Sequence, residues 1–265
     1  MKKFFKTIAA IALTAVMCAG CSSTVKPNEV FSAADLEGKV IGVQQGTTGD
    51  TFVSSEENGV KAKEVSKFKK GTEAITALKQ GKVDAVVIDN EPALEFVADN
   101  DDLMILDEKL AVEEYAIAVN KDRPELTAAI NTALDELEAD GTLGELKAFW
   151  IEETGGKGYV SPEGIAYPNG TLTMATNATF PPYEFKREGE IVGFDVDMMR
   201  AVCDKLGYEL KISDMDFNSI IAAVKSGKAD VGVAGISVTE DRKANIDFTR
   251  SYFDSAAQVI IVRKK

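Results

Sequence analysis

The chain contains no histidine. That absence removes the commonest general base near neutral pH and the commonest metal ligand. No His-containing catalytic triad and no HEXXH zinc site can be built from it. Basic residues are also outnumbered: 30 Lys and Arg against 43 Asp and Glu leave a net charge of −13. Such a balance speaks against nucleic acid or an anionic membrane surface as a partner. The three cysteines, Cys18, Cys21 and Cys203, are too few for a disulfide framework. No GxGxxG fingerprint follows a strand, and the glycine-rich segment QQGTTGD lacks the Gly-Lys-Ser/Thr of a phosphate-binding loop.

What is present is ordinary for a globular protein: 45% hydrophobic and 28% charged residues in 265 positions, enough for two domains or lobes. The start is different in kind. MKKFFKTIAAIALTAVMCAGCSST carries Lys2, Lys3 and Lys6, then an apolar stretch from Ile8 to Met17 that is too short to span a membrane, then Ala19, Gly20 and Cys21. Residues 1–20 read as a secretory signal peptide, and the end resembles a bacterial lipobox in which Cys21 becomes the lipidated first residue. Cys18 stands where such boxes usually carry leucine. Loss of the three lysines takes the net charge from −13 to −16. Cys203, in DMMRAVCDKLGY, is expected on the core face of an amphipathic helix, and Trp150, in LGELKAFWIEE, on another. The acid pairs Glu113–Glu114 and Glu152–Glu153 read as solvated faces.

The mature chain repeats itself at long range. AITALKQGKVDAVVIDN, from Ala74, matches IIAAVKSGKADVGVAGI, from Ile220, at an offset of 146 that superposes Lys79 on Lys225, Gly81 on Gly227 and Asp84 on Asp230. Each copy predicts a helix, a glycine stop and a strand. Upstream, KVIGV leads into QQGTTGD as TLTMAT leads into NATFPPYEF. Strands alternating with helices predict an α/β fold of two similar lobes, each a mainly parallel sheet flanked by helices. Ligands of such sheets bind beyond the carboxyl ends of the strands, so QQGTTGD, DNEPA, NATFPPYE and GISVTEDR should surround one cleft.

These loops mix charges of both signs. Thr239 is a candidate N-cap, which puts Arg242 in a first helical turn as a rigid mount for a carboxylate. Gly235 allows close backbone approach, and Ser237, Thr47 and Thr48 offer hydroxyls, the last two at an expected helix start. Asp89 ends the strand AVVI with the charge an ammonium needs. Phe180, beside Pro181 and Pro182, and Phe217 can cover an apolar or planar group. A carboxylate clamp and an ammonium acceptor across one cleft describe a free α-amino acid.

With those residues in place, the sequence resembles the extracellular solute-binding proteins of polar amino-acid ABC importers, family 3. The similarity runs from about Val30 to Arg263 through ATFPPYEF, GFDVDMMRAV, DMDFNSIIAAVKSGKADVGVAGISVTEDR, DFTRSYFDSAAQVIIV, LEGKVIGVQQGTTGD and KVDAVVIDN. It implies a type II periplasmic-binding-protein-like fold with two hinge crossings, and a binder rather than an enzyme. By the same resemblance Arg242 grips the ligand α-carboxylate, Asp89 takes the α-ammonium, and Thr47, Thr48 and Ser237 line the carboxylate. Phe180 and Phe217 sandwich the ligand. Family members that bind cationic amino acids often carry an acid where this chain has Asn177, which weakens the case for a lysine- or arginine-type ligand. The implied partners are an amino acid and an ABC transporter permease, with the membrane reached through a lipid anchor only, no nucleic acid, no cofactor, no metal, and a monomeric state.

The order of the motifs departs from the family. Members begin with the TLTMATNATFPPYEF lobe, whereas here that lobe comes second, as in a circular permutation. The expected boundaries are a tether at 21–30, lobe 2 at 31–113 plus 256–265, and lobe 1 at 114–255. Residues 154–170, GGKGYVSPEGIAYPNG and its flank, act as the linker joining the family's usual ends. Hinge crossings are expected near residues 111–116 and 253–256. Two rival functions use the same fold: a dehydratase of cyclic amino-acid precursors, with Glu184 or Glu91 as its acid, and a ligand-sensing module acting through a partner.

Overall fold

A computed structural model describes residues 25–58 and 60–265. The expected signal peptide at residues 1–20 and the expected lipidation site Cys21 lie outside the described residues. The first half of the chain alternates strand and helix, with β1 at Val40–Gln44, α1 at Thr48–Ser54, β2 at Glu64–Phe68 and α2 at Gly71–Lys79. β3 (Ala85–Asp89), α3 (Asn90–Ala98) and the short β4 (Leu103–Ile105) follow. β5 (Ala111–Val119) leads into the helix pair α4 (Pro124–Ala139) and α5 (Thr142–Trp150). The second half opens with β6 (Thr171–Thr176) and a small hairpin layer of β7 (Thr179–Phe180), β8 (Glu184–Arg187) and β9 (Glu190–Val192). It continues through α6 (Phe194–Leu206), β10 (Glu209–Asp214), α7 (Ile220–Lys225), β11 (Val231–Gly232) and α8 (Glu240–Lys243), and ends in the 17-residue β12 (Asp247–Arg263).

The repeat read from sequence is visible as topology. In one lobe β2, β1 and β3 run parallel in that spatial order, and β12 joins antiparallel on β3. In the other, β10, β6 and β11 run parallel in the matching order, and β5 joins antiparallel on β11. Both repeated helices end at a glycine with left-handed backbone, Gly81 at φ 67° and Gly227 at φ 72°, a conformation only glycine adopts without strain. What the repeat does not reveal is that β5 and β12 pair with each other along their length. The two lobe sheets therefore join into one curled nine-stranded sheet.

Burial follows each strand's place in the sheet. β3 is buried at all five positions because strands flank it on both sides and helices cover its faces. α4 buries Leu126, Ile130, Ala133, Leu134 and Leu137, the one-face spacing of a helix, and packs on α5, α6 and β12. Cys203 is buried on α6, where burial raises its thiol to about 12, so it is an unreactive core group. Trp150 also packs inward, with its indole N–H donating to Asp197 Oδ2 at 2.9 Å. The same carboxylate oxygen accepts Tyr159 N at 3.0 Å, which pins the segment after α5 to α6.

The far end of β12 closes the lobe built on β1–β3. Arg263 is buried and donates from Nη1 to the carbonyls of Leu78 and Val83 at 2.8 and 2.9 Å, spanning the turn between α2 and β3. Its Nη2 reaches Lys26 O at 3.5 Å, and Val30 is fully buried in the same lobe's core. Arg263→Ala removes both bonds, leaving Leu78 O with Gly81 N as its donor and Val83 O without the guanidinium, and is expected to cost about 2 kcal/mol. Urea denaturation checks this; a loss under about 0.5 kcal/mol contradicts the role given to the guanidinium.

Candidate functional site

The strand ends of both lobes converge on one small, narrow cavity. Its wall includes all nine residues singled out from sequence: Thr47, Thr48, Asp89, Asn177, Phe180, Phe217, Gly235, Ser237 and Arg242. Gln44, Glu184 and Ala234 complete it. A larger groove of about 1570 Å³ runs between α2, α3 and residues 178–186, but it is open to solvent. The smaller cavity is the better site because buried groups of opposite charge meet there.

Arg242 is mounted as the sequence predicts. Thr239 Oγ1 caps α8 by accepting Arg242 N at 3.3 Å. The guanidinium then donates to Ser237 O at 2.7 Å and, across the cleft, to Gly46 O at 3.1 Å, and lies 5.5 Å from the centre of the Phe217 ring. Those two bonds use two of its five N–H donors. Opposite, Thr47 caps α1, accepting Asp50 N at 3.2 Å and donating to Gln44 O at 2.8 Å, so its hydroxyl is committed to the backbone. Thr48 Oγ1 accepts from Gln258 Nε2 at 3.1 Å.

Asp89 ends β3 and is buried, with Tyr115 Oη donating to its Oδ1 at 2.6 Å. Burial, and after it the nearby charge of Glu113, pushes its carboxyl up to about 7 against the pull of that hydrogen bond. Glu113 corrects an expectation. It is half-buried on β5 rather than part of a solvated face, and accepts from Ser237 Oγ at 2.7 Å and Gln258 Nε2 at 3.3 Å. Glu114, Glu152 and Glu153 are exposed.

Asn177 is largely engaged within the protein, with one of its two amide N–H donors still free for the cavity. Its Nδ2 donates to Met215 O at 2.7 Å, while Oδ1 accepts from Thr179 Oγ1 at 2.8 Å and, across the cleft, from Gln44 Nε2 at 3.0 Å. Gly235 sits at φ 53° beneath Phe180, where a side chain's Cβ would lie 2.8 Å from the ring; its N–H donates to Asp195 Oδ2 at 3.0 Å. Asp195, at the start of α6, also accepts Tyr252 Oη at 2.9 Å. Burial raises it to about 6 despite those donors. Glu184 stands next to it, fully buried, and burial with the Asp195 charge holds its carboxyl well above the usual range. Sequence reasoning missed Gln44 and Ala234 and considered Glu184 only as the acid of a rival enzyme. Gln44, the last residue of β1 beside the QGTT loop, was readable by the strand-end rule.

Among the described residues no helix is long and apolar enough to cross a membrane, and no group of acids and cysteines is arranged to hold a metal ion. A sequence model of the bacterial extracellular solute-binding proteins, family 3, matches residues 53–153 and 172–265. The chain belongs to that family. Among family-3 relatives, it is 44% identical over 94 residues to the arginine-binding extracellular protein ArtP of Bacillus subtilis (strain 168), covering 36% of each chain. It is 32% identical over 118 residues to a probable histidine-binding protein of Neisseria gonorrhoeae, covering 44% of each. A solved ancestral arginine-binding protein bound to arginine is 51% identical over 29% of this chain and 35% of its own, with a TM-score of 0.29. The chain thus spans less than half the length of these relatives.

Three buried carboxyls with raised pKa give the family-3 chain a pH signature. Between the ordinary carboxylate pKa near 4 and the raised values near 6 and 7, the folded state holds protons that the unfolded state has lost. Stability therefore falls as pH rises through that window, opposite to a salt-bridged acid. The ligand-free melting temperature should drop by about 5 °C or more from pH 5 to pH 8. Asp89→Asn should flatten the slope; calorimetric scans showing the same slope in both proteins contradict the assignment.

Proposed function

We propose that the chain binds a free polar α-amino acid in the cavity between its lobes and delivers it to an ABC importer. The observation that carries this reading is the opposition of Arg242 and Asp89 across one narrow cavity. The guanidinium, with donors to spare, offers a bidentate partner for the α-carboxylate. Asp89, ionised once an ammonium approaches, is the counter-charge for the α-amino group. Phe180 and Phe217 line the same cavity, and Thr48, whose hydroxyl proton is uncommitted, supplies a further donor for the carboxylate. The names of the relatives, arginine- and histidine-binding, fit an amino-acid ligand. On this reading the protein works outside the cytoplasm, tethered by lipid on Cys21, as a monomer.

The order of lobes reads as a circular permutation. Residues 154–171 are left unmatched by the family model, and they coincide with the proposed linker. Tyr159 N, Tyr167 Oη and Asn169 Nδ2 tie that linker to Asp197, Asp204 and Leu206 of α6 and its C-terminal end, the last two at 3.0 and 2.8 Å.

One observation favours a second reading. A carboxylic acid kept protonated in a cavity is what a dehydratase needs as a general acid, and Glu184 has that character. Turnover of arogenate or prephenate, lost in Glu184→Gln, decides for the enzyme.

A thermal-shift screen of the twenty amino acids, cystine and ornithine should show selective stabilisation by a small subset. Arg242→Ala should remove the shift, because the ligand carboxylate is left without its partner in a dry site. Asp89→Asn should weaken binding at least tenfold, about 1.4 kcal/mol. Near-native affinity in Arg242→Ala would sink the proposal.

A further inference from the structure

Glu113 is an acid placed at the carboxylate end of the proposed clamp. It stands half-buried on β5, and its Oε2 accepts from Ser237 Oγ at 2.7 Å and from Gln258 Nε2 at 3.3 Å. Both donors serve that end of the cavity. Ser237 is in the cavity wall, and its carbonyl accepts from Arg242 Nη1 at 2.7 Å. Gln258, the cross-strand partner of Asp89, also donates from Nε2 to Thr48 Oγ1 at 3.1 Å. Glu113 lines an outer pocket together with Thr48 and Arg242, which the cavity shares, so its carboxylate sits in the partition between the two spaces.

A hydroxyl has one proton to give. That of Ser237 goes to Glu113, so Ser237 presents only lone pairs to an incoming carboxylate. Thr48 is arranged the other way: it accepts from Gln258, and among the described residues its own proton has no acceptor. Two hydroxyls that read alike in sequence thus have opposite polarity, and Glu113 is the cause. We propose that Glu113 is a positioning residue that lowers the affinity of the site: by taking the Ser237 proton it withholds a donor from the ligand α-carboxylate, and its own negative charge opposes that carboxylate. This rests on the amino-acid-binding reading above. A weaker grip favours release, which a protein that delivers its ligand requires.

The charge of Glu113 reaches both halves of the clamp. On Asp89 and Arg242 alike, burial is the first influence and Glu113 the second. It adds to burial in opposing an ionised Asp89, and offsets burial in favouring the Arg242 cation. A brace is the competing role, since the bonds from Ser237 and Gln258 tie β5 to the segment after β11 and to β12. Loss of a brace loosens the two walls and weakens binding, whereas loss of the role proposed here tightens it. The signs are opposite. Glutamine in place of Glu113 separates them, because its amide can donate to Ser237 Oγ and its carbonyl can accept from Gln258. The tie is kept, the charge is removed, and the Ser237 proton is freed for the ligand.

Calorimetric titration with each of the twenty amino acids, on the protein and on a set of variants, makes the test. Glu113→Gln should bind the same amino acids as the unaltered protein, about tenfold more tightly. If that variant does not fold, Glu113→Ala, which also frees the Ser237 proton, should tighten binding in the same direction. Ser237→Ala closes the cycle: the affinity it costs should be at least about fivefold larger in the Glu113→Gln background than in the unaltered protein, because only there does the hydroxyl donate to the ligand. Weaker or unchanged binding in either folded Glu113 variant, or a gain that is the same with and without the Ser237 hydroxyl, overturns the proposal and leaves amino-acid binding standing. Failure of every amino acid to bind the unaltered protein overturns both.

Discussion

The pairing of β5 with β12 is the constraint on which the rest of the molecule hangs. These are the strands by which the described chain passes between lobes, and each also serves as the antiparallel partner of a parallel sheet. Their ladder is regular at neither crossing: the register slips three times between Phe248 and Ala256. Such slips bend and twist a strand pair locally, so the interruption sits where the two lobe sheets must turn toward each other. Tyr115 is at that point, packed 5.3 Å from Tyr183 and 5.7 Å from Phe253 between ring centres. Its hydroxyl holds Asp89. The hinge thus positions the acid that faces the cavity, and Glu113, two residues earlier, adds a second charge from the same strand.

Direct bonds across the cleft are few and weak. Lys69 and Asp216 pair at 2.7 Å but are largely solvent-exposed, at 67% and 40%, so the contribution is about 0–1 kcal/mol. The Gln44–Asn177 bond is buried and adds about 1 kcal/mol, and Arg242 to Gly46 O a similar amount or somewhat more. Against these stands the concentration of acid in the cavity, which costs the closed state in the absence of a counter-charge. On the proposed reading, a ligand ammonium at Asp89 offsets part of this cost, and contacts to both lobes would supply the differential interaction a closing transition requires.

Much of this was legible in sequence because it depends on local rules. The glycine stops at Gly81 and Gly227, the cap Thr239, and the strand-end placement of Asp89 and Arg242 follow from spacing and residue type alone. What was not legible depends on distance in the fold. Glu113 reads as half of a solvated pair until Ser237 and Gln258 arrive from segments more than a hundred residues away. The occupation of Asn177 by Gln44 has the same origin, and so does the contact of Glu184 with Asp195, which needs the turn at Gly193 to bring α6 against the hairpin. The union of two lobe sheets through β5 and β12 was likewise hidden, since each strand alone reads as belonging to one lobe.

The central claim is a two-ended grip on one small zwitterion, Arg242 for the carboxylate and Asp89 for the ammonium. Calorimetric titration of the best-binding amino acid beside its α-carboxamide and its deaminated acid tests it from the ligand's side. The account predicts that loss of either charge weakens binding at least a hundredfold, about 2.7 kcal/mol. An analogue lacking one of the two charges that still binds within a few-fold of the parent would contradict it.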